Sequence, residues 1–338
     1  MNRALVRLLD ARETELRDRH GIAFRITGVA SRRTGWIADP NGLTAHEVLN
    51  GNLGQESGAG NNSGTRVSAP HEFHDVRSWL QTAQADVVFE ATSLNAQTGQ
   101  PAIDHLQAAL ERGAHAITAN KGPVVHAYDE LTALASRQGR RFLFESAVMD
   151  GVPIFSLFRD SLPLVNLEGF RGVLNSTTNV ILGGMEQGLS FDDSLRRAQE
   201  LGVAETDASD DIDGWDAAVK VAALVRVLMG VKLNLNEIRR TGIRGLTGDA
   251  VQVARAEGLP YKLVCRARKK GNRVEASVAP EQVTLSDPLA LVEGTSSVVY
   301  FETDIFPGLA IIEDRPGLDA TAYGMLADFI KAARKVRA

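Results

Sequence analysis

Residues 204–220 read AETDASDDIDGWDAAVK and place six acids, Glu205, Asp207, Asp210, Asp211, Asp213 and Asp216, within twelve positions, with Lys220 close behind. Helix propensity begins near Gly214, so Asp211 and Asp213 fall at or just before a helix N-terminus. The helix dipole favours carboxylates there, and a side chain can cap the free N–H groups. Asp216 and Lys220 are four apart and share a helix face. A capped helix with one surface ion pair accounts for this pattern. So does a polar pocket that binds an ammonium group and positions a lysine. Ala217, Ala218 and Val219 surround Lys220 with small or apolar neighbours, and a desolvated lysine among carboxylates can act as a general acid or base. On physical grounds these two accounts are evenly matched. A calcium loop is excluded: with Asp211, Asp213 and Gly214 at its third, fifth and sixth positions, the first would be Ser209 and the twelfth, which requires glutamate, would be Lys220.

Three other segments could carry chemistry. TANKGP (118–123) follows an apolar run at Ala114–Ala119, so Asn120 and Lys121 stand at a strand's carboxyl end, where ligands sit in open α/β sheets. A solvated loop lysine is the plainer account. Thr92 and Ser93 stand likewise after the run Asp86–Ala91, as small polar residues that could approach a cofactor or simply turn the chain. VLNSTTN (173–179) follows a strand pattern and opens a helix, with Ser176 and Thr177 as natural N-caps, and its backbone N–H groups would also suit a substrate carboxylate. The Gly-rich run at 51–64 is not a phosphate loop, because no apolar strand precedes it and no helix pattern follows.

The elements that must position these residues follow from periodicity. Leu5, Leu8, Leu9 and Leu16 mark a helix over 3–19 and Ile22–Ala30 a strand, whereas 39–70 reads as a long mobile loop. Strands at Asp86–Ala91, Ala114–Ala119 and Arg141–Ala147 alternate with helices at 101–112 and 124–138, which implies parallel pairing through βαβ crossovers. After Pro153 the pattern becomes mixed: a strand at 167–174, helices at 176–187, 192–201 and 214–230, several strands across 260–303, and a last helix at 317–334. Two domains are expected, a nucleotide-binding one over 1–147 with 304–338 packing back on it, and a mixed α+β one over 148–303. A net charge of −5 without a basic tract argues against a nucleic-acid partner. The longest apolar stretch, 219–231, carries Lys220 and Arg226, so no membrane span is expected. The N-terminus has no apolar signal core, and the one cysteine, Cys265, can form no disulfide within the chain. Both point to the cytoplasm, with Cys265 a buried inert thiol.

TANKGP at 118–123, GVLNSTTN at 172–179, LGVAETDASDDIDGWDAAVK at 201–220 and DRPGLDATA at 314–322, in this order, resemble the homoserine dehydrogenase family over nearly the whole chain. The resemblance implies a Rossmann-type doubly wound parallel sheet, a mixed α+β substrate and dimerisation domain, and a homodimer through the latter; with the last helix at 317–334, the form without a C-terminal regulatory domain is expected. It implies NAD(P)-dependent interconversion of L-homoserine and L-aspartate 4-semialdehyde. Lys220 would be the acid/base and Lys121 would assist it and neighbour the cofactor. Glu205, Asp211 and Asp216 would hold the substrate, chiefly its ammonium group, and Thr177 would orient it. Thr92, Ser93 and Gly317 would line the cofactor. A sodium ion would sit at Glu145 and Val148, although Met149 and Asp150 replace the usual small residues. Ser176 stands where the family has glycine, which could alter substrate fit.

The front departs from the family pattern. The family opens with an apolar strand and a Gly-x-Gly-x-x-Gly turn, and Asn2 stands at the last of those glycines, so the natural start is expected upstream. The strand near 22–30 ends in Ser31-Arg32-Arg33 with no acid to bind a ribose hydroxyl. Arginines suit a 2′-phosphate, which favours NADP(H) over NAD(H). The rival expectations are a cofactor-free, catalytically silent relative acting as a binding subunit, and a dehydrogenase of a related amino-acid semialdehyde.

Overall fold

In the first half of the chain, short apolar runs fold as strands and the segments between them as helices. The computed structural model describes residues 1–32, 34–51 and 73–334. It divides into two units: Met1–Asn95, Gly99–Ser146 and Leu318–Ala338 form the first, Ala96–Thr98 and Ala147–Gly317 the second. The first unit opens with α1 (Asn2–Ala11) and α2 (Glu13–His20), two helices broken at Arg12 where periodicity suggested one. Strand β1 (Ile26–Ser31) pairs antiparallel with β2 (Gly35–Leu43), and α3 (Ala45–Asn50) follows, capped by Thr44 and Glu47. After α4 (Val76–Ala83) come β3 (Val87–Glu90), α5 (Ala102–Glu111), β4 (His115–Thr118), α6 (Lys121–His126), α7 (Tyr128–Arg137) and β5 (Phe142–Leu143). Strands β3, β4 and β5 form a parallel sheet in that order.

Two sequence expectations are corrected here. The strand near 22–30 forms, but it pairs in a hairpin; among the described residues no strand links β1 to β3. The loop expected over 39–70 begins as the end of β2 and α3: β2 closes on β1 at Ile26↔Leu43, with Pro40, Asn41 and Gly42 in the irregular stretch between that pair and Gly28↔Ala38. Residues 52–72, with the rest of the Gly-rich run, lie outside the described residues.

The second unit begins with α8 (Ile154–Ser156) and is built on a six-stranded sheet. Its elements are β6 (Leu167–Val173), α9 (Ser176–Glu186), α10 (Phe191–Glu200), α11 (Ser209–Ile212), α12 (Trp215–Leu228), β7 (Arg239–Arg240), α13 (Gly248–Ala256), β8 (Tyr261–Lys270), β9 (Arg273–Gln282), β10 (Ser297–Thr303) and β11 (Leu309–Glu313). The strand order is β11-β10-β6-β8-β9-β7, antiparallel except for β7 against β9. Helices α9, α12 and α13 pack on β8. Ala217–Val219 and Val221–Val225 are buried on nearly every side of α12, so it is a core helix with one polar edge.

Helix α14 (Leu318–Ala333) returns to the first unit, where its Met325, Leu326 and Phe329 share a core with Leu5 and Leu9 of α1. Each such buried side chain contributes about 1.5–3 kcal/mol relative to exposure. The return starts at Leu318 rather than at 304, because Leu309–Glu313 pairs with β10 from Phe301↔Leu309 to Ser297↔Glu313. No helix among the described residues is long and apolar enough to cross a membrane.

Candidate functional site

The acid cluster closes around a lysine. Gly214 adopts φ 80, a left-handed conformation that glycine tolerates, and turns the chain from α11 into α12. The turn is held tightly: Ile243 N–H donates to the Ile212 carbonyl at 2.9 Å, and a Cβ on Gly242 would come within 2.2 Å of that same oxygen. Arg240 stacks over the Trp215 ring at 3.6 Å, and Arg244 donates twice to Asp213, at 3.0 and 3.2 Å.

One turn into α12, Lys220 faces back along Asp216. Its Nζ donates to the Leu174 carbonyl at 2.6 Å and lies 2.9 Å from Asp216 Oδ2, with side-chain exposures of 17% and 18% for the pair. An ammonium has three donors, so one N–H of Lys220 remains without a partner among the described residues. The link to Asp211 runs through Asn175, which is buried at the start of α9. Its Nδ2 donates to Asp211 Oδ1 at 2.6 Å and to Asp216 Oδ2 at 3.0 Å. Its Oδ1 accepts from Thr178 N–H at 2.9 Å, so Asn175, and not Ser176 or Thr177, is the N-cap. Sequence reasoning passed over Asn175, although an Asn three residues before Thr178 at a helix start was the available signal.

The electrostatics follow from this packing. Burial weighs against the Lys220 ammonium, but the charges of Asp216, Asp211 and Asp150 outweigh it and hold its pKa above the ordinary lysine value. Burial, and then the like charge of Asp216, raises Asp211, against the hydrogen bond from Asn175 and the charge of Lys220. Glu313, at the end of β11, is pushed up to about 7 by burial and by Asp150, against the attraction of Lys220. Its Oε2 is buried with no hydrogen-bond partner among the described residues. Cys265 on β8 is fully buried and pushed up to about 12 by desolvation, an inert thiol.

Among the expected substrate residues, Asp211, Asp216 and Lys220 thus meet in one network. Thr177 is buried and donates to the Val203 carbonyl at 3.2 Å, beside Asp211. Glu205 is exposed; its carbonyl accepts from Gln199, and its carboxylate makes no hydrogen bond or ion pair in the described network. Ser176 turns its hydroxyl to the Thr295 carbonyl at 3.1 Å, which gives its side chain a structural partner.

Three of the expected cofactor residues, Thr92, Ser93 and Lys121, stand at the carboxyl ends of β3 and β4. Glu90, missed in the sequence because it ends an apolar strand, is 3% exposed and organises them. Its carboxylate accepts from Thr92 N–H at 2.7 Å, from the Thr92 hydroxyl, and from the Thr118 hydroxyl at 2.7 Å. Asn120 Nδ2 reaches the Thr92 carbonyl at 3.2 Å, and Asn120 Oδ1 caps α6 through Gly122 N–H at 2.9 Å. The turns carrying Thr92, Ser93 and Lys121 are therefore built as one piece. Carboxyl ends of parallel strands are where such sheets bind dinucleotides, so these residues fit that group. Arg32 is exposed in the turn after β1, and Arg33 lies outside the described residues. Gly317 is exposed at the end of the second unit.

The expected cation residues, Glu145 and Val148, are buried. Met149 and Asp150 adopt φ 52 and φ 49, in the left-handed region that favours glycine. The described residues contain no group of three or more His, Cys, Asp or Glu that could hold a metal ion.

Comparison with known proteins identifies the family of the chain. The family model described as homoserine dehydrogenase matches residues 153–330, and that described as the homoserine dehydrogenase NAD binding domain matches 3–145. An NAD(+)-dependent homoserine dehydrogenase of Pseudomonas canavaninivorans is 33% identical over 98% of this chain and 92% of its own length. A homoserine dehydrogenase of Methanocaldococcus jannaschii is 36% identical over 74% of each. The solved structure of a hyperthermophilic archaeal homoserine dehydrogenase in complex with NADPH superposes with a TM-score of 0.78 at 27% identity, covering 98% of this chain and 93% of that one. The strand-end turns of the first unit and the lysine-centred acid cluster of the second thus sit in a chain that belongs, along nearly its whole length, to the homoserine dehydrogenase family.

Proposed function

We propose that the chain interconverts L-homoserine and L-aspartate 4-semialdehyde, with Lys220 as acid/base. The observation that carries this reading is the Lys220 ammonium clamped by the Leu174 carbonyl and Asp216 with one N–H to spare. That N–H can meet the reacting oxygen of the substrate. In the reducing direction Lys220 gives its proton to the carbonyl oxygen as the carbon accepts hydride; in the oxidising direction the neutral amine takes the hydroxyl proton as hydride leaves. The nicotinamide cofactor supplies and accepts the hydride. Asp211, with Asn175 aiming it, offers a carboxylate for the substrate ammonium, and Thr177 shapes the turn beside it.

The cofactor preference in this reading is NADP(H), supported by Arg32 in the turn after β1 and by the absence of an acid at that strand's end. Steady-state turnover of homoserine with each cofactor tests both parts. The expected result is turnover with kcat/KM at least about tenfold higher for NADP, a gain of the size that phosphate–arginine pairing gives. Preference for NAD would overturn the cofactor assignment. Absence of turnover with either would overturn the activity.

The pH dependence has a definite sign. Because the Lys220 pKa is raised, the ammonium that reduction needs persists through neutral pH, and the free amine that oxidation needs appears only on the alkaline side. Oxidation should therefore climb with pH well past neutrality. Glu313 is neutral below about 7 and anionic above it, and that added charge favours the Lys220 ammonium. Glu313→Gln should move the alkaline limb of the oxidation profile to lower pH. Superimposable profiles for the two proteins would refute the coupling.

A further inference from the structure

We infer that the loop Val292–Ser296 is a strap that positions the substrate turn, and that Lys262 is the positioning residue that fastens it. This rests on the function proposed above for Asp211, Asp216 and Lys220. It concerns residues that touch none of the reacting groups.

Every residue of this loop is tied down. The Val292 carbonyl accepts from Lys262 Nζ at 2.7 Å, and the Gly294 carbonyl from Asn179 Nδ2 at 2.9 Å. The Glu293 carboxylate pairs with Arg255 of α13 at 3.5 Å. The Thr295 carbonyl accepts from the Ser176 hydroxyl at 3.1 Å. The Ser296 hydroxyl donates to Asp314 Oδ1 at 2.9 Å and accepts from Arg315 N–H at 3.0 Å. The loop is buried at both ends, at Val292 and Ser296, and exposed at Glu293 and Gly294, and its anchors come from four different parts of the fold. Two of those anchors, Ser176 and Asn179, lie in the first turn of α9. That same turn carries Asn175, which holds Asp211 and Asp216, and Thr177. The other end of the strap is fixed to Asp314–Arg315, two residues before Gly317.

Lys262 is what makes the arrangement rigid. It is 5% exposed on β8, and its Nζ bonds Asn179 Oδ1 at 3.0 Å as well as Val292, so a single cation clamps α9 to the loop. Glu186 of α9 faces the same cluster, with its Oε1 buried and without a partner among the described residues and Arg255 Nε 3.7 Å from its other oxygen. Burial lowers the Lys262 pKa and raises that of Glu186, and each group's charge partly offsets the shift of the other. A buried lysine with two short oxygen partners holds geometry that a methionine of similar length cannot.

The test uses the full chain with Lys262→Met, Lys262→Arg and the milder Ser176→Ala. Hydrogen exchange read by mass spectrometry should be faster in Lys262→Met at peptides covering 175–179 and 292–296, with α10 unchanged. Homoserine KM should rise about tenfold while kcat and cofactor KM stay within about threefold, because a loosened binding turn loses binding shared by ground and transition states. Lys262→Arg should recover part of the KM, and Ser176→Ala should reproduce a smaller rise with an unchanged melting temperature. If Lys262→Met fails to fold, Ser176→Ala decides: local exchange and homoserine KM identical to wild type overturn the strap. Exchange that rises uniformly over the chain, or a melting temperature that falls with KM unchanged, also overturns it. If the wild-type chain turns over no homoserine, the proposed activity fails, but the exchange comparison still decides the strap.

Discussion

Lys220→Ala should lower kcat for homoserine oxidation by about 10³-fold, within the range contributed by a positioned acid or base, and the protein should still fold. The activity loss follows from the only N–H among the described contacts of Lys220 that is left for a substrate oxygen. The fold should survive because α12 is anchored by Ala217–Val219 and Val221–Val225, none of which the substitution touches. Stability should nevertheless fall. Removing the cation leaves the Leu174 carbonyl without its donor and Asp216 and Asp211 as like charges at close quarters. For groups still 17–18% exposed, we expect a cost of about 1–3 kcal/mol, less than for a fully buried broken pair.

The pH dependence of that loss has a definite direction. Without the ammonium the Asp211 pKa, already raised in the wild type, rises further. A carboxyl raised in the folded state contributes stability that is present below its unfolded pKa and lost as pH rises through the folded one. Lys220→Ala should therefore be closest to wild type in melting temperature under mildly acidic conditions and furthest from it at pH 8. Lys220→Arg separates the two roles. It restores a charge beside Asp216, so most of the melting temperature should return. A guanidinium cannot give up its proton at any usable pH, so oxidation should stay low. Near-normal turnover in either variant would sink the assignment.

How much of this is legible in the sequence depends on whether the deciding interaction is local. The Asp216–Lys220 pair is an i,i+4 relation within one helix, and periodicity exposes it. The strands ending at Glu90 and Thr118 are apolar runs bounded by turn residues, and they fold where expected. What stayed hidden was set by partners distant in sequence. Strand β2 is fixed by pairing with β1 at Gly35–Ala38 and again at Leu43, with Pro40, Asn41 and Gly42 carried in the irregular stretch between. Glu90 reads as the end of an apolar run until its two threonine partners, one of them 28 residues away, are seen. Ser176 looked like a change in the substrate pocket, yet its partner is Thr295, 119 residues on. Glu205 was expected beside the other acids on the strength of a shared motif, but it lies before α11 and stays exposed. Position along a motif gave identity; only the tertiary partners gave role.

Asn175→Asp should be the second severe change, although it alters one atom. Asn175 uses its whole hydrogen-bonding capacity: both Nδ2 hydrogens go to carboxylates, and Oδ1 accepts from Thr178 N–H and its hydroxyl. At 4% exposure it has no water to substitute for a lost partner. Aspartate keeps the cap on α9 but replaces the double donor with a third carboxylate facing Asp211 and Asp216. Repulsion among buried like charges and two stranded acceptors should cost about 2–4 kcal/mol and lower kcat/KM by about 10²-fold through misplaced groups. Asn175→Ala, by contrast, loses the cap, worth about 1 kcal/mol, and leaves the acceptors unmet, but it adds no charge. At neutral pH the aspartate variant should therefore be the less stable of the two. As pH falls, protonation of one carboxyl in the triad replaces a repulsion with an O–H···O⁻ bond, and the order should reverse. Thermal melts of both variants from pH 5 to 8 decide this. Two curves that run parallel across the range would mean that Asp211 and Asp216 are not both ionised around Asn175 in the native protein, and the lysine-centred charge network would have to be redrawn.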